Sequence, residues 1–194
     1  MPTRTGQTGH MSAPTALPAD GFTARWETWD GADVEEVTLR WENEAWTATG
    51  SVGRERIQYV LRISPLWQVR QFLLFRDLED PDLWLGTDGS GHWGEMNGAH
   101  RTDLDGCTEI ALGCTPFDHV APLRRHHPDV DHSVEVRVMH VDVETLGITR
   151  ASRRYHRLAE RRWTVDDGTD DTLVEFSVDP YGLPLDIPGR FRRR

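Results

Sequence analysis

From Phe22 onward, apolar and polar side chains alternate with a period of two, the spacing of half-buried strands rather than of helices. Phe22, Ala24, Trp26 and Thr28 alternate with Thr23, Arg25, Glu27 and Trp29. Val37, Leu39 and Trp41 share one parity, as do Ile57, Tyr59, Leu61 and Ile63. Trp67, Val69, Leu73 and Phe75 are expected on one face of a longer strand, with Arg70 and Arg76 on the other. Val134, Val136 and Val138 repeat the pattern, but Val141 and Val143 continue it on the opposite parity, which predicts a bulge near Met139-His140. Val174, Phe176 and Val178 form the last clear run. Hairpin signals separate the runs: Asp30-Gly31, Asn43-Glu44, Asp88-Gly89 and Asp166-Asp167-Gly168.

This rhythm predicts an all-β chain of roughly 10–13 short strands, spaced about 8–12 residues apart as in antiparallel sandwiches and barrels. Residues 1–20, rich in Thr, Pro, Gly and Ala, are expected to be unstructured, and 21–194 to form a single domain. Within 1–20, Gly9-His10-Met11 is compatible with a cloning remnant or with native sequence. Tyr155, Leu158, Ala159 and Arg162 also fit helical spacing, leaving a helical turn open over Ser152 to Trp163. No unit alternates strand with helix.

Eight tryptophans are many for 194 residues, and most fall on predicted strands. They can fill the interior of a curved sheet, or several can line a cavity as rigid apolar walls with a donor at one edge. A sheet of more than about ten strands must curl, and a barrel beyond about eight has an interior that must be plugged, collapsed or occupied by ligand.

The net charge of −10 repels a phosphate backbone and an anionic membrane surface, which argues against nucleic acid as a partner. All 22 basic residues are arginine, whose planar forks pair with carboxylates and stack on indoles. Cys107 and Cys114 are too far apart on one strand for a disulfide and fit no redox or zinc spacing, so reduced thiols in a cytoplasmic protein are expected. The beginning of the chain lacks the apolar stretch of a signal peptide, and no segment approaches the ~18 apolar residues of a membrane span.

Several motifs resemble chemistry without its context. Gly89-Ser90-Gly91-His92-Trp93-Gly94 spells a dinucleotide fingerprint, but no strand–helix unit surrounds it, so a glycine-rich hairpin is expected and no cofactor. Asp88, Ser90 and His92 are triad residue types without a nucleophile elbow or an oxyanion hole. His126-His127-Pro128-Asp129-Val130-Asp131-His132 is rich in potential ligands but has no standard zinc spacing, so a solvated connection is expected and no metal. Phe191-Arg192-Arg193-Arg194 reads as a solvated tail.

The stretch LDGCTEIALGCTPFDHVAPLRR (104–125) breaks the strand rhythm at Thr115-Pro116 and Pro122 and ends in Arg124-Arg125. It resembles the bacterial family named "putative glycolipid-binding", with Gly106-Cys107, Glu109-Ile110, Leu112, Thr115-Pro116, Pro122 and Arg124-Arg125 in matching places. Trp67-Gln68-Val69-Arg70, Asp88-Gly89 before Trp93, Asp179 with Gly182-Leu183, and Asp186-Ile187-Pro188-Gly189 extend the resemblance over roughly residues 22–191. Ala111, His119 and Ala121 depart from it, where the family has an acid, an asparagine and a leucine.

The resemblance implies a single antiparallel, strongly curved, incompletely closed barrel with little helix, similar to the periplasmic lipoprotein carriers and holding an apolar cavity. On that reading a lipid, glycolipid or similar amphiphile meets Trp67, Arg70, Trp84, Trp93, Glu109, Thr115, His119, Arg124 and Arg125. Arg124, Arg125 and Glu109 would recognise polar groups at the mouth, or else form an internal pair bracing a long loop. Two rivals stand beside this reading. One is a hydrolase or isomerase using His92, Glu109 or His119 as acid or base; the other is a structural module whose interior is filled by its own side chains.

Overall fold

The computed structural model describes residues 13–53, 56–77, 79–168 and 173–194. Its strands are Phe22–Thr28 (β1), Val34–Glu42 (β2), Ala45–Val52 (β3), Ile57–Ile63 (β4), Val69–Phe75 (β5), Leu83–Thr87 (β6) and Trp93–Glu95 (β7). There follow Glu109–Leu112 (β8), Ser133–Val141 (β9), Ile148–Ala159 (β10), Arg162–Asp166 (β11), Val174–Ser177 (β12) and Phe191–Arg193 (β13). One sheet has the order β13-β1-β2-β3-β4-β5-β6-β7, the other β12-β11-β10-β9-β8. Consecutive strands thus form meanders, as the hairpin signals predict, and the fold is an all-β, incompletely closed barrel of two sheets. Asn43 and Glu44 both take positive φ (50° and 58°), which lets the two-residue β2–β3 turn follow the strand twist.

One pairing departs from the expected antiparallel sheet. β8 runs parallel to β9, and parallel neighbours need a crossover of a dozen or more residues. That crossover carries the molecule's only α-helix among the described residues, Val120–Arg125 (α1), preceded by a 3-10 turn over Pro116–His119. A strand–helix–strand unit therefore exists where the sequence rhythm suggested none. It also explains the parity change in β9. The β9–β10 register runs unbroken from Val134↔Tyr155 to Val141↔Ile148, so no bulge sits at Met139-His140. Met139 is buried because β8 pairs beside it, and all of β8 is buried, as parallel strands usually are.

Other expectations are also corrected. The register of β4 with β5 skips Arg70, so Phe72 and Leu74 face the core and Leu73 and Phe75 the outer face, the reverse of the simple parity. Ser152 to Ala159 is strand, not helix. Phe191–Arg193 is no tail: it pairs with β1, Arg193 lies over the Trp26 ring at 4.5 Å, and Arg194 pairs with Glu27.

Between the sheets lies one continuous apolar core that includes Trp26, Phe72, Leu85, Trp93, Phe117 and Trp163. Ahead of Phe22, Leu17 is buried, and Thr15 donates its N–H to the Pro180 carbonyl (2.8 Å). Gly9-His10-Met11 and the rest of 1–12 lie outside the described residues.

Candidate functional site

The crossover occupies the space that the sequence suggested could be hollow. Pro116 through Leu123 are all buried, packed between the sheets. Thr115 is extended (φ −141°, ψ 138°) and caps the 3-10 turn by accepting the Phe117 N–H (2.9 Å), while Pro116 supplies a preset φ at its first position. The Thr115 hydroxyl also meets Tyr59 Oη at 3.2 Å, and Tyr59 donates to Glu35 Oε1 at 2.6 Å. Burial pushes the Glu35 carboxyl up to about 8, against the lowering effect of those hydroxyls, so it is protonated at neutral pH. Gly50 makes room for Tyr59: a Cβ there would sit 2.1 Å from the ring.

The other half of the crossover is tied to the second sheet. Asp118 Oδ2 accepts the Leu112 N–H (2.8 Å) and Arg153 Nη2–H (3.1 Å). Arg153 Nε lies 2.8 Å from Asp167 Oδ1, and Asp167 Oδ2 is 2.8 Å from Arg190 Nη1. Burial works against the Arg153 charge, but Asp118, Tyr155 and Asp167 hold the guanidinium protonated. His119 Nδ1 meets Tyr155 Oη at 2.9 Å, its ring packs on Phe176, and desolvation pulls its pKa down to about 4. The neutral imidazole is thus buried within the protein.

The structure separates the other candidate residues. Trp67, in a turn with φ 60°, is sandwiched between Arg124, 4.2 Å above its ring, and Trp46, stacked at 6.0 Å. Arg124 in turn donates to the carbonyls of Thr15 and Tyr181, closing this end of the core. Arg125 Nη1 pairs with the buried Glu109 Oε1 at 3.1 Å, the bracing arrangement, and desolvation raises the Glu109 carboxyl to about 7. Trp93 is buried nearby and donates Nε1–H to the Cys107 carbonyl (2.9 Å). Cavities beside these groups are small: about 20 Å³ next to Trp93 and Arg125, and about 100 Å³ between Leu123, Trp163 and Pro180. Ligand pockets are usually about 300 Å³ or more.

Arg70 and Trp84 are elsewhere, on the face of the larger sheet turned away from the core. There they line an open groove of about 500 Å³ with Arg62, Gln71 and Thr87. A second groove on this face, of about 360 Å³, is lined by Thr38, Arg40, Glu42, Thr49, Ser51 and Gln58. Arg62 stands between the two, donating to Thr47 and lying 3.4 Å from Glu42 Oε1. Both concavities are of ligand size.

Residues that sequence reasoning passed over include Glu35, Tyr59, Asp118, Arg153 and Tyr155. A signal for some was present. Glu35 shares parity with Val37 and Leu39, and Arg153 with Tyr155, so each polar group sits on the core face of its strand.

The motifs resembling chemistry take the following forms. Gly89 and Gly91 have φ of 89° and 90° in the connection between the antiparallel β6 and β7, a hairpin and not a helix start. Ser90 Oγ donates to Asp88 Oδ2 (2.7 Å) and lies 3.0 Å from His92 Nδ1. His92 Nδ1 is also 3.4 Å from Asp88 Oδ2, so both the serine and the imidazole turn to the same carboxylate oxygen. His132 Nδ1 meets the Val130 carbonyl, and no cluster of three or more metal-ligating side chains occurs among the described residues.

Residues 23–193 match a protein family described as "Putative glycolipid-binding". The chain belongs to this family. Its fold is similar to the crystal structure of a DUF1089 family protein from Pseudomonas aeruginosa, with a TM-score of 0.68 and 22% identity over 99% of this chain and 100% of that one. A comparison with curated proteins gave no match.

Proposed function

We propose that this chain is a non-catalytic binding protein for a lipid, glycolipid or similar amphiphile. The observation that carries this reading is the pair of adjoining open grooves, about 500 and 360 Å³, on the exposed face of the larger sheet. Each reaches the size that small-molecule recognition uses, whereas the cavities beside the crossover hold water at most or a very small group. Family membership points the same way. Of the three acid–base candidates of the enzymatic reading, Glu109 and His119 are buried in ion-pair and hydrogen-bond networks, and His92 stands exposed beside Asp88 and Ser90.

We place the protein in the cytoplasm, in keeping with its two free thiols, and read 21–194 as a single domain. No helix among the described residues is long and apolar enough to cross a membrane. Native mass spectrometry of gently purified protein is expected to show a co-purifying amphiphile. A thermal-shift panel of lipids and glycolipids should raise the melting temperature. Protein that is always empty and ignores the whole panel overturns the reading.

A further inference from the structure

The protein carries a net charge of −10, yet one row across the exposed face of its larger sheet is positive. The strand register aligns Arg40, Thr47, Arg62, Gln71 and Gly86 from β2 to β6. The register shift in β5 sets Arg70 beside Gln71, so a third guanidinium joins the row. Arg40 lines the smaller groove, and Arg62 and Arg70 line the larger. On this row Arg62 lies 3.4 Å from Glu42, while Glu36, on the same face, is paired with Arg25. Arg40 and Arg70 have no carboxylate partner among the described residues. Arg70 donates instead to the Asp88 carbonyl (2.7 Å), and the Asp88 carboxylate turns to Ser90 and His92.

Two glycines make room for this arrangement at the larger groove. A Cβ on Gly89 would lie 1.4 Å from Arg70 Nη1, and one on Gly86 would meet the Trp84 ring at 3.0 Å. Arg62 is held by Thr47. Thr87 Oγ1 accepts the Gly89 N–H (3.1 Å), which leaves its own O–H to donate. Two guanidinium forks, a hydroxyl and the Gln71 amide thus line one groove, with an indole beside them. A carboxylate has two oxygens, which a single fork satisfies; the three oxygens of a phosphate ester engage several donors at once. The acidic remainder of the surface limits the size of the ligand. Charges more than about 8 Å away are screened at physiological salt, so a small anion feels mainly the local guanidinium groups. A long polyanion would also meet the acidic surroundings.

Resting on the binding function above, we infer that the larger groove holds its ligand by a phosphate ester group bound between Arg62 and Arg70. Gln71 and Thr87 complete the donors, and Arg40 adds a third positive charge on the same row. The organic part of the ligand covers the half-buried Trp84.

The test uses the full chain and three probes, with binding read by calorimetry: n-dodecyl phosphate and n-dodecyl-β-D-maltoside, each below its micelle concentration, and phenyl phosphate. Wild type is expected to bind dodecyl phosphate about tenfold or more tightly than the maltoside. Added sodium chloride should weaken the phosphate probes and spare the maltoside, a readout that needs no variant. Arg70→Gln should weaken dodecyl phosphate about tenfold while leaving the maltoside unchanged. Arg154→Gln, an exposed arginine on the other sheet, should alter neither. Unaltered melting temperatures confirm that both variants fold. Phenyl phosphate binding as tightly as dodecyl phosphate supports the site with a soluble ester as its source; binding of dodecyl phosphate alone supports it with a lipid headgroup. Equal affinity of wild type for dodecyl phosphate and the maltoside, or affinity indifferent to salt, overturns the phosphate site while the binding function stands. If Arg70→Gln binds dodecyl phosphate as wild type does, the assigned groove is wrong. If wild type takes none of the probes nor any member of the lipid panel, the binding function itself fails.

Discussion

Glu35 is sealed beneath the crossover with one oxygen held by Tyr59 and the other without a partner, a setting that stores a pH dependence. Between its ordinary value of 4.5 and about 8, the folded chain keeps a proton that the unfolded chain has released. Stability therefore falls as pH rises through that window, by up to about 1.4 kcal/mol per pH unit for one proton. Glu109, raised to about 7, adds to this slope. His119 acts oppositely: lowered from 6.5 to about 4, it costs stability as pH falls through that range. Between about pH 4.5 and 6.5 His119 cancels one of the two carboxyl slopes, and above that range the carboxyls act unopposed. Chemical denaturation should show wild type weakening from pH 6.5 to 8.5, and Glu35→Gln, a neutral near-isostere, should flatten much of that decline. Unchanged pH dependence in Glu35→Gln would refute the assignment. The thiols give a second residue-level expectation. Burial raises Cys107 and drives Cys114 up to about 12, so neither forms thiolate near pH 8. A colorimetric thiol reagent should titrate both only after denaturation.

At the scale of elements, the crossover is anchored to both sheets, through Tyr59 on one side and Arg153 and Tyr155 on the other, and its polar anchors are interdependent. Asp118→Ala leaves Arg153 with Asp167 as its remaining carboxylate partner, and removing one partner of a buried ion pair costs about 3–5 kcal/mol. The pair Asp118→Leu with Arg153→Met removes both charges and should recover part of that loss in urea unfolding. A double variant no better than the single one would show that Arg153 does not depend on Asp118. Gly50→Ala tests the other anchor. Its methyl group meets the Tyr59 ring, so the ring must leave Glu35 and Thr115, an overpacking cost of about 1–3 kcal/mol. The Trp67 turn is a third joint, and Trp67→Ala should cost about 3–5 kcal/mol by emptying the slot between Trp46 and Arg124.

For the molecule as a whole, a ligand on the exposed sheet face stabilises the fold without opening it. At a hundredfold excess over its Kd, an amphiphile bound only to the native state adds about 2.7 kcal/mol. Hydrogen exchange should then slow in β2–β6, while the crossover amides, already enclosed, change little. Slowing concentrated instead at residues 115–125 would place the ligand between the sheets.

Much of the architecture was legible along the chain, because period-two alternation and the tight-turn residues are local properties that each strand and hairpin carries in its own sequence. That arginine forks would stack on indoles was expected only in general: Arg124, Arg157, Arg192 and Arg193 each lie over one, and the last two had read as a solvated tail. The parallel β8–β9 pairing was not, since Glu109–Leu112 is too short to reveal its partner and its direction depends on where the crossover docks. Nor could spacing tell that Thr115, His119, Arg124 and Arg125, close together in sequence, would be drawn into separate contacts, or that Glu35 would meet Tyr59. Alternation fixes which side chains share a face of a strand. Only the tertiary structure decided which face would be closed by the chain's own residues and which left open, because that depends on long-range packing of the crossover against both sheets.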